Sequence, residues 1–463
     1  MTRANISDSN GTVPAPVHSL RTVFFEITDP DGAPVPAPLL IPASTPAVGQ
    51  VPPFLRPGRI GSLDVPNRII RAGTGESTAG PDGAVTRRMA DIHRALARGG
   101  VGLAFTGHMY VEDRGRYGKL QTGISSDTHL PGLAGLVSEV HHVGGRLFAQ
   151  LAHAGSQSTM GGVVPLAPSP VANVMTGRSV PGAADEEIEA TIEAWGGAAR
   201  RAVDAGFDGI HIHGANGYLI SEFLSPLTNR RNDRWGGSAE GRREFPARVV
   251  HRVRECVPEG YPVTMKLGLK DLVDLPGGMD LDMAIGNVAH LVAAGLDAVE
   301  VSSNLMSDYV SGSIRAYVGV DRRRALQDLL FNRVFRDPAP EAYFREFARA
   351  LRRQVDTTVI LVGGLRKPQT MSDVIMSGDA DFISLARPLI REPDLVQRLT
   401  RQPTAVPKCV SCNICIMHDE HHWLRCWREP KRRLALHAWY RLSGEFAHGS
   451  GRKPRADRVG SDA

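Results

Sequence analysis

The sequence predicts an α/β protein built as one (β/α)8 TIM barrel, in which eight parallel strands close into a ring with helices outside. Eight short apolar runs alternate with helical stretches between residues 67 and 387. Three helix-to-strand junctions share one pattern, with Gly just after the helix and Asp just before the strand. No Gly-x-Gly-x-x-Gly follows the first run, which disfavours a doubly wound sheet, the main alternative.

The eight runs have the length and apolar content of buried strands. They cover residues 67–73, 101–107, 146–152, 208–214, 262–268, 297–303, 358–364 and 381–387. Helical patterns lie between them, most clearly at 86–100, 191–206 and 244–257. Strands separated by helices pair in parallel through right-handed crossovers, and eight of them favour closure. The shared junctions are AGFDG at 205–209, AGLDA at 294–298 and SGDAD at 377–381, where Gly is typical of a helix C-cap.

Two flanking segments differ from the barrel region, which we place at 53–408. Residues 1–52 are rich in Pro, Ala, Ser and Gly, and predict a disordered or loosely attached extension with one strand at 20–27. Residues 409–463 hold a cysteine cluster and a basic tail. A short helix is predicted at 434–442, packed on the barrel or on a partner subunit.

Composition favours a cytoplasmic location and, at most, a small anionic ligand as partner. Of 463 residues, 42% are hydrophobic and 22% charged, and the net charge of +5 does not indicate nucleic-acid binding. No apolar run is long enough to span a membrane, and the N-terminus lacks the apolar core of a secretory signal. Four of the five cysteines lie in one short segment, which favours a metal site over a disulfide framework. A homo-oligomer is left open.

The strongest chemical signal follows the fourth run, where the active site of such a barrel gathers. His213 and Asn216 can both donate hydrogen bonds to one carbonyl oxygen and stabilise the charge that builds there when a hydride arrives. Tyr218 can act as a positioned acid. The alternative is a core histidine and a packing aromatic side chain.

The string from His211 to Phe245 resembles the Old Yellow Enzyme family of FMN-dependent ene-reductases and the related bacterial dienoyl-CoA reductases. The resemblance covers roughly residues 53–428. Besides His213, Asn216 and Tyr218, the shared pattern comprises Phe223, Leu224, Ser225, Pro226, Asn229, Arg231, Asp233, Gly236, Gly237 and Ser238. The resemblance implies FMN, NADH or NADPH as reductant, and an acceptor with an activated C=C bond beside a carbonyl or thioester. His213 and Asn216 would then donate hydrogen bonds to the carbonyl oxygen, and Tyr218 would protonate the α carbon.

The resemblance also implies a set of FMN contacts. Gln150 would bond the flavin pyrimidine ring, and Lys266 would place positive charge beside it; the structural alternatives are a glutamine bonded to backbone and an internal ion pair. The phosphate would lie at the ends of the seventh and eighth strands. Residues expected there are Gly363, Gly364, Ala386 and Arg387, and Ala72 and Thr74 are expected along the ring.

Two departures concern the flavin and the substrate pocket. Gly75 stands where the family carries a Thr or Cys that touches the flavin, so its redox tuning would differ. Three residues near strand ends are further candidates for the substrate pocket: His108, Tyr110 and His153. For His153, a purely structural role is the alternative.

The cysteine cluster fits a 4Fe–4S centre, a zinc site or an unmetallated remnant. Its members are Cys409, Cys412, Cys415 and Cys426, with His418, His421 and His422 as substitute zinc ligands. Dienoyl-CoA reductases carry a similar cluster with slightly longer spacings. Two functional alternatives stay open: an amine dehydrogenase or demethylase on the same barrel, and a barrel without catalysis.

Overall fold

The computed structural model describes residues 51–80, 82–172, 179–271, 276–305, 341–412, 414–415 and 421–443. The predicted N-terminal extension, apart from its last two residues, and the strand at 20–27 lie outside this part of the chain. None of the helices in the described ranges is both long enough and apolar enough to cross a membrane.

Eight parallel strands close into a barrel, as predicted. The strands in chain order are β1 (Gly58–Ile60), β2 (Leu63–Val65), β3 (Ile69–Arg71), β4 (Leu103–Phe105), β5 (Met109–Tyr110), β6 (Leu147–Ala152), β7 (Val171–Ala172), β8 (Ser179–Val180), β9 (Gly209–Gly214), β10 (Val263–Gly268), β11 (Ala298–Ser302), β12 (Thr358–Val362) and β13 (Phe382–Leu385). The ring runs β3, β4, β6, β9, β10, β11, β12 and β13, and β13 pairs back with β3. Each ring strand lies within one of the eight predicted runs.

The helices cover the outside of the ring. They are α1 (Arg87–Arg98), α2 (Leu130–His142), α3 (Asp185–Asp204), α4 (Leu219–Leu224), α5 (Ala239–Glu255), α6 (Leu281–Ala293), α7 (Arg345–Gln354), α8 (Pro368–Met376), α9 (Arg387–Arg391), α10 (Leu395–Arg401) and α11 (Lys431–Ser443). Single 3-10 turns occur at Pro53–Leu55, Asp113–Gly115, Asp127–His129 and Gly155–Gln157. The three clearest helical predictions are confirmed.

Two of those helices begin earlier than predicted because polar residues cap their first turns. Helix α3 starts at Asp185, and the Glu187 carboxylate accepts a hydrogen bond from the Ala184 N–H at 2.8 Å. Helix α5 starts at Ala239, after the Ser238 hydroxyl that accepts from the Gly241 N–H. Acidic or hydroxyl groups in these places satisfy N–H groups that have no partner within the helix.

The three repeated junctions between helix and strand have the same structure at three places around the ring. Their glycines have positive φ angles, with +86° at Gly206, +120° at Gly295 and +71° at Gly378. Each aspartate accepts a hydrogen bond from a backbone N–H at the start of a neighbouring strand: Leu147 to Asp208 at 2.7 Å, Val263 to Asp297 at 2.8 Å and Val359 to Asp381 at 2.9 Å. The Asp therefore fixes where adjacent strands begin.

The interior of the barrel is closed at the N-terminal end of the strands. Hairpin β1–β2 contributes Ile60 and Val65 to an interior cluster that also contains Phe105, Phe148 and Phe382. A Cβ on Gly58 would lie 2.6 Å from the ring of Phe382, so the hairpin sits tightly against the strands. A ligand site inside this barrel therefore opens at the C-terminal ends of the strands.

The C-terminal tail forms the predicted helix, α11. Its His437 is 1% exposed, and Trp427 in the preceding segment is equally buried. The ring of Tyr440 on α11 lies 4.4 Å from that of His422 and 6.0 Å from that of Trp427. The tail is thus held to the cysteine segment by an aromatic cluster.

Candidate functional site

The loop after β9 presents the three residues on which the functional prediction depends. His213 lies within β9, and Tyr218 is the N-cap of α4. Between them, Asn216 and Gly217 have φ angles of +63° and +74°, which reverse the chain in two residues. A left-handed conformation is uncommon for a residue other than glycine, and such strain is concentrated at functional sites.

His213 and Tyr218 come together in a cluster of aromatic rings. Their ring centroids lie 4.9 Å apart in an edge-to-face arrangement. His108, from the loop after β4, lies 6.3 Å from His213 and 5.7 Å from Tyr218. Tyr117 completes the group at 6.0 Å from Tyr218. The fold thus gathers two imidazoles and two phenols at the open end of the barrel.

His213 is a neutral imidazole at ordinary pH. Burial lowers its pKa well below the usual range, and the neighbouring His108 and Lys266 lower it further. Its Nδ1 atom is buried and has no hydrogen-bond partner among the residues that the structure describes. A buried polar atom without a partner is unfavourable unless a ligand supplies one.

The carboxamide of Asn216 is held against the end of β11. Its Oδ1 atom accepts hydrogen bonds from the hydroxyls of Ser302 at 3.3 Å and Ser303 at 3.5 Å. The backbone N–H of Asn216 also donates to the Ser303 carbonyl at 3.0 Å. Since Oδ1 is engaged, Nδ2 is the end of the amide that remains suited to donate to a ligand.

Gln150 lies inside the barrel with a polar atom that the protein does not satisfy. It is 1% exposed, and its Nε2 atom is buried with no hydrogen-bond partner in the described part of the chain. A Cβ on Gly73 would lie 2.4 Å from Nε2 and Oε1, so the backbone after β3 approaches the amide closely. The buried, unsatisfied amide fits the edge of a ring with paired donors and acceptors, which is what FMN presents.

Lys266 forms an ion pair with Glu300 inside the barrel, the arrangement considered as its structural alternative. His211 contacts the same carboxylate, with Nε2 3.2 Å from Oε2. Burial raises the pKa of Glu300, but the charge of Lys266 and the hydrogen bond from His211 outweigh it and hold this pKa below its usual range. The pair places Lys266 beside the aromatic cluster and leaves its predicted cofactor role open.

The segment after β3 is fixed by a buried network that the sequence did not indicate. The Glu76 carboxylate accepts the Gly107 N–H at 2.8 and 2.9 Å, and it pairs with Arg71 at 3.3 Å and His93 at 3.2 Å. The Thr74 hydroxyl turns back to donate to the Ala72 carbonyl at 3.0 Å. This network ties the end of β3 to the end of β4, next to His108.

The four residues predicted to bind the phosphate lie at the ends of β12 and β13, and whether they bind it stays a prediction. Gly363 and Gly364 have φ angles of +114° and +73°. Ala386 is the N-cap of α9, and Arg387 is its first residue. The Tyr343 ring packs on Gly363, where a Cβ would lie 2.5 Å from it.

A comparison with protein families fits this geometry. The sequence model of the NADH:flavin oxidoreductase / NADH oxidase family matches residues 53–404, more than half of the chain. The chain belongs to this family. The predicted resemblance and the predicted barrel are therefore confirmed.

Two relatives with different named activities are similar to this chain. The NADH oxidase of Thermoanaerobacter brockii is 34% identical over 371 residues, which are 79% of this chain and 54% of that one, so the chain spans about half its length. The 4,4'-dithiodibutanoate disulfide reductase of Rhodococcus erythropolis is 33% identical over 79% of this chain and 92% of its own. Among solved structures, morphinone reductase in complex with tetrahydroNAD has a TM-score of 0.61 at 27% identity, covering 78% of this chain and 94% of that one.

Of the three further pocket candidates, His108 joins the aromatic cluster, whereas Tyr110 and His153 hydrogen-bond to other described residues. Tyr110 is 1% exposed, and its hydroxyl donates to the Asp82 carbonyl at 3.1 Å. His153 bridges the Gly155 N–H at 3.0 Å and the Glu112 carboxylate at 2.8 Å. The structural alternative for His153 is thus correct.

His108 is oriented by Gln121, which sequence reasoning missed. The Gln121 Nε2 atom donates to Nδ1 of His108 at 2.7 Å and to its carbonyl at 3.0 Å. The Gln121 Oε1 atom accepts the Tyr117 N–H. Because Nδ1 of His108 accepts, its neutral ring carries the proton on Nε2. The signal was not local, since Gln121 lies 13 residues from His108 in sequence.

The four clustered cysteines are partly buried and unpaired. Burial raises the pKa of the Cys415 thiol to about 12, and the thiols of the other three raise it further, against the effect of Arg387. Their mutual influence indicates that the four share one neighbourhood beside Arg387. Within the described ranges, no group of three or more His, Cys, Asp or Glu side chains is arranged to hold a metal ion.

Proposed function

We propose that this protein uses FMN and NADH or NADPH to reduce the activated C=C bond of an unsaturated carbonyl or thioester compound. The observation that carries the proposal is the pairing of His213 with Tyr218 at the open end of the barrel, 4.9 Å apart between ring centroids. Bound FMN would supply a hydride for the β carbon of the acceptor. The family match and the named relatives support this chemistry.

The protein would hold FMN through groups at the C-terminal ends of the barrel strands. Gln150 would satisfy its orphaned Nε2 atom at the pyrimidine edge. Lys266, which pairs with Glu300, would stabilise negative charge there. The phosphate would bind backbone N–H groups and a guanidinium at the ends of β12 and β13. The remaining proposed contacts are Ala72, Thr74, Gly363, Gly364, Ala386 and Arg387.

His213 and Asn216 would hold the acceptor's carbonyl oxygen. The imidazole is neutral, so it serves as a hydrogen-bond donor and does not deliver a proton. The Asn216 amide is already oriented by two serine hydroxyls, and a donor fixed in advance loses little on binding. Both donors stabilise the negative charge that develops on this oxygen during reduction.

Tyr218 would protonate the α carbon. Replacing it with Phe keeps the ring packed against His213 but removes the acidic proton. We expect the rate of alkene reduction to fall roughly 100-fold or more, because a positioned general acid contributes about 10²–10⁴. Reduction of the bound flavin by NADH or NADPH should change by less than about twofold.

Stopped-flow measurement of the two half-reactions tests this role. Tyr117→Phe is the matched control, because it removes a phenol from the same aromatic cluster and should leave both half-reactions nearly intact. An equal loss of both half-reactions in Tyr218→Phe would show that the residue serves folding or cofactor binding and not protonation.

The metal centre at the cysteines stays a prediction. The shared neighbourhood of the four thiols supports it, whereas their arrangement is not that of a formed site. Iron and zinc analysis of purified protein, with Cys412→Ser as the comparison, tests it. A cytoplasmic location and a homo-oligomer also stay predictions.

A further inference from the structure

Two arginines stack on two tryptophans of the C-terminal segment, and a third arginine lies close to one of them. The guanidinium of Arg88 lies 4.5 Å from the centre of the Trp423 ring, and that of Arg425 lies 4.9 Å from the same ring. Arg425 also lies 4.2 Å from the Trp427 ring. Arg433 of α11 is close enough to lower the pKa of Arg425. We call Arg88, Arg425 and Arg433 the arginine cluster.

The arginine cluster has no carboxylate partner among the described residues. Burial lowers the pKa of Arg425, and Arg433 and Arg88 lower it further, while its Nε atom is buried without a hydrogen bond. The neighbouring Arg87 behaves differently, since it pairs with Asp91 at 3.1 Å and with Glu139 at 2.7 Å. Like charges brought together without a counter-charge destabilise the fold unless an anion binds among them.

The arginine cluster lies beside the open end of the barrel. The Leu424 N–H donates to the carbonyl of Glu76 at 2.7 Å, and Glu76 belongs to the segment after β3 that borders the site. Arg88 is the second residue of α1, so the positive end of that helix dipole adds to the local potential. An anion held here would be within reach of the mouth through an extended ligand.

We propose that the arginine cluster binds a phosphate group of a nucleotide ligand whose reactive end enters the barrel mouth. Guanidinium groups match the oxygens of a phosphate with paired, charge-assisted hydrogen bonds, and several cations suit a dianion. The proposal rests on the proposed function, which involves two ligands with such a group. These are NADPH, with its 2′-phosphate, and an unsaturated coenzyme A thioester, with its 3′-phosphate.

Binding of unreactive matched pairs tests the proposal without any turnover. The probes are NADP⁺ against NAD⁺, and coenzyme A against dephospho-coenzyme A, which differ within each pair by one phosphate. Dissociation constants are measured on the full chain by quenching of tryptophan fluorescence, for which Trp423 and Trp427 are the local reporters. We expect the phosphorylated member of at least one pair to bind about 10-fold to 100-fold more tightly, in keeping with charged hydrogen bonds.

The double variant Arg88→Gln/Arg433→Gln should abolish that preference. The control, Arg87→Gln/Arg432→Gln, removes the same charge from neighbouring positions of the same two helices and should retain it. A preference confined to one pair identifies the source of the phosphate, and a preference in both supports one shared site. Absence of a preference in both pairs, or equal loss in the control, overturns the proposal. Since the readout needs no flavin chemistry, a failure of the proposed function is seen separately in the half-reactions.

Discussion

The buried carboxyl of Glu222 makes folding stability depend on pH. Glu222 lies on α4, directly after the loop that carries Asn216 and Tyr218, and is 3% exposed. Both its oxygens accept hydrogen bonds from the Ser156 N–H, at 3.1 and 3.2 Å, and the Ser156 hydroxyl donates as well. Burial raises its pKa to about 8, although these hydrogen bonds oppose the rise. The folded protein therefore holds a proton that the unfolded chain releases.

The size of the effect follows from the difference between the two states. A glutamate in an unfolded chain has a pKa of about 4.3, and each unit of difference is worth about 1.4 kcal/mol. Because the pKa is higher in the folded state, the contribution to stability is complete below about pH 4.3 and is lost as the pH rises through 8. The loss is about 3.5 kcal/mol at pH 7 and approaches about 5 kcal/mol above pH 8.

Glu222→Gln removes this dependence, since the amide keeps the size and the acceptor oxygen but cannot ionise. We expect the free energy of unfolding of the variant minus that of the wild type, measured in urea, to exceed its value at acid pH by about 1 kcal/mol at pH 5, 3.5 kcal/mol at pH 7 and 5 kcal/mol at pH 8.5. Glu259→Gln, at an exposed position, is the control and should follow the wild type. Parallel pH curves for Glu222→Gln and wild type would refute the reasoning and show that water or another group stabilises the carboxylate.

Three further predictions concern single side chains. Gln150→Leu should raise the free energy of unfolding of the FMN-free protein by about 1–3 kcal/mol, because it removes an unsatisfied amide, and should weaken FMN binding at least about 10-fold. Urea unfolding measures the stability and FMN fluorescence measures the binding; a variant that is less stable than the wild type without FMN would contradict the prediction. Asp381→Ala should lower that free energy by about 1–3 kcal/mol, because the Val359 N–H loses its acceptor, and an unchanged urea midpoint would speak against this role of the repeated Asp. Gly107→Ala would place a Cβ 1.9 Å from a Glu76 carboxylate oxygen, so we expect a loss of roughly 1–3 kcal/mol, and unaltered stability would show that the loop yields.

Local patterns predicted the ring and part of the site. The strands alternate with helices in sequence, and the Gly and Asp of each junction act within a few residues, so the pattern is visible in one dimension. The string around His213 and Tyr218 is equally local, and the structure places the two rings 4.9 Å apart between their centroids. The early start of α3 was missed because its acidic first turn precedes the apolar repeat on which the prediction rested.

Contacts between distant segments were not predictable. His211 reaches Glu300 across 89 residues of sequence, and Glu76 reaches the Gly107 N–H across 31. These groups meet only because closure of the barrel brings the ends of neighbouring strands together. The same closure decided that Tyr110 hydrogen-bonds to Asp82 and His153 to Glu112, although both lie close to strand ends.

The sequence by itself determined the order of strands and helices, the family, and the loop that carries an imidazole, an amide and a phenol, because each is written in neighbouring residues. Only the tertiary structure decided which buried polar groups are satisfied and which are not. Burial and partner choice depend on every segment that packs around a group, so the lone amide nitrogen of Gln150, the neutral ring of His213 and the arginine cluster emerge only when the ring is closed.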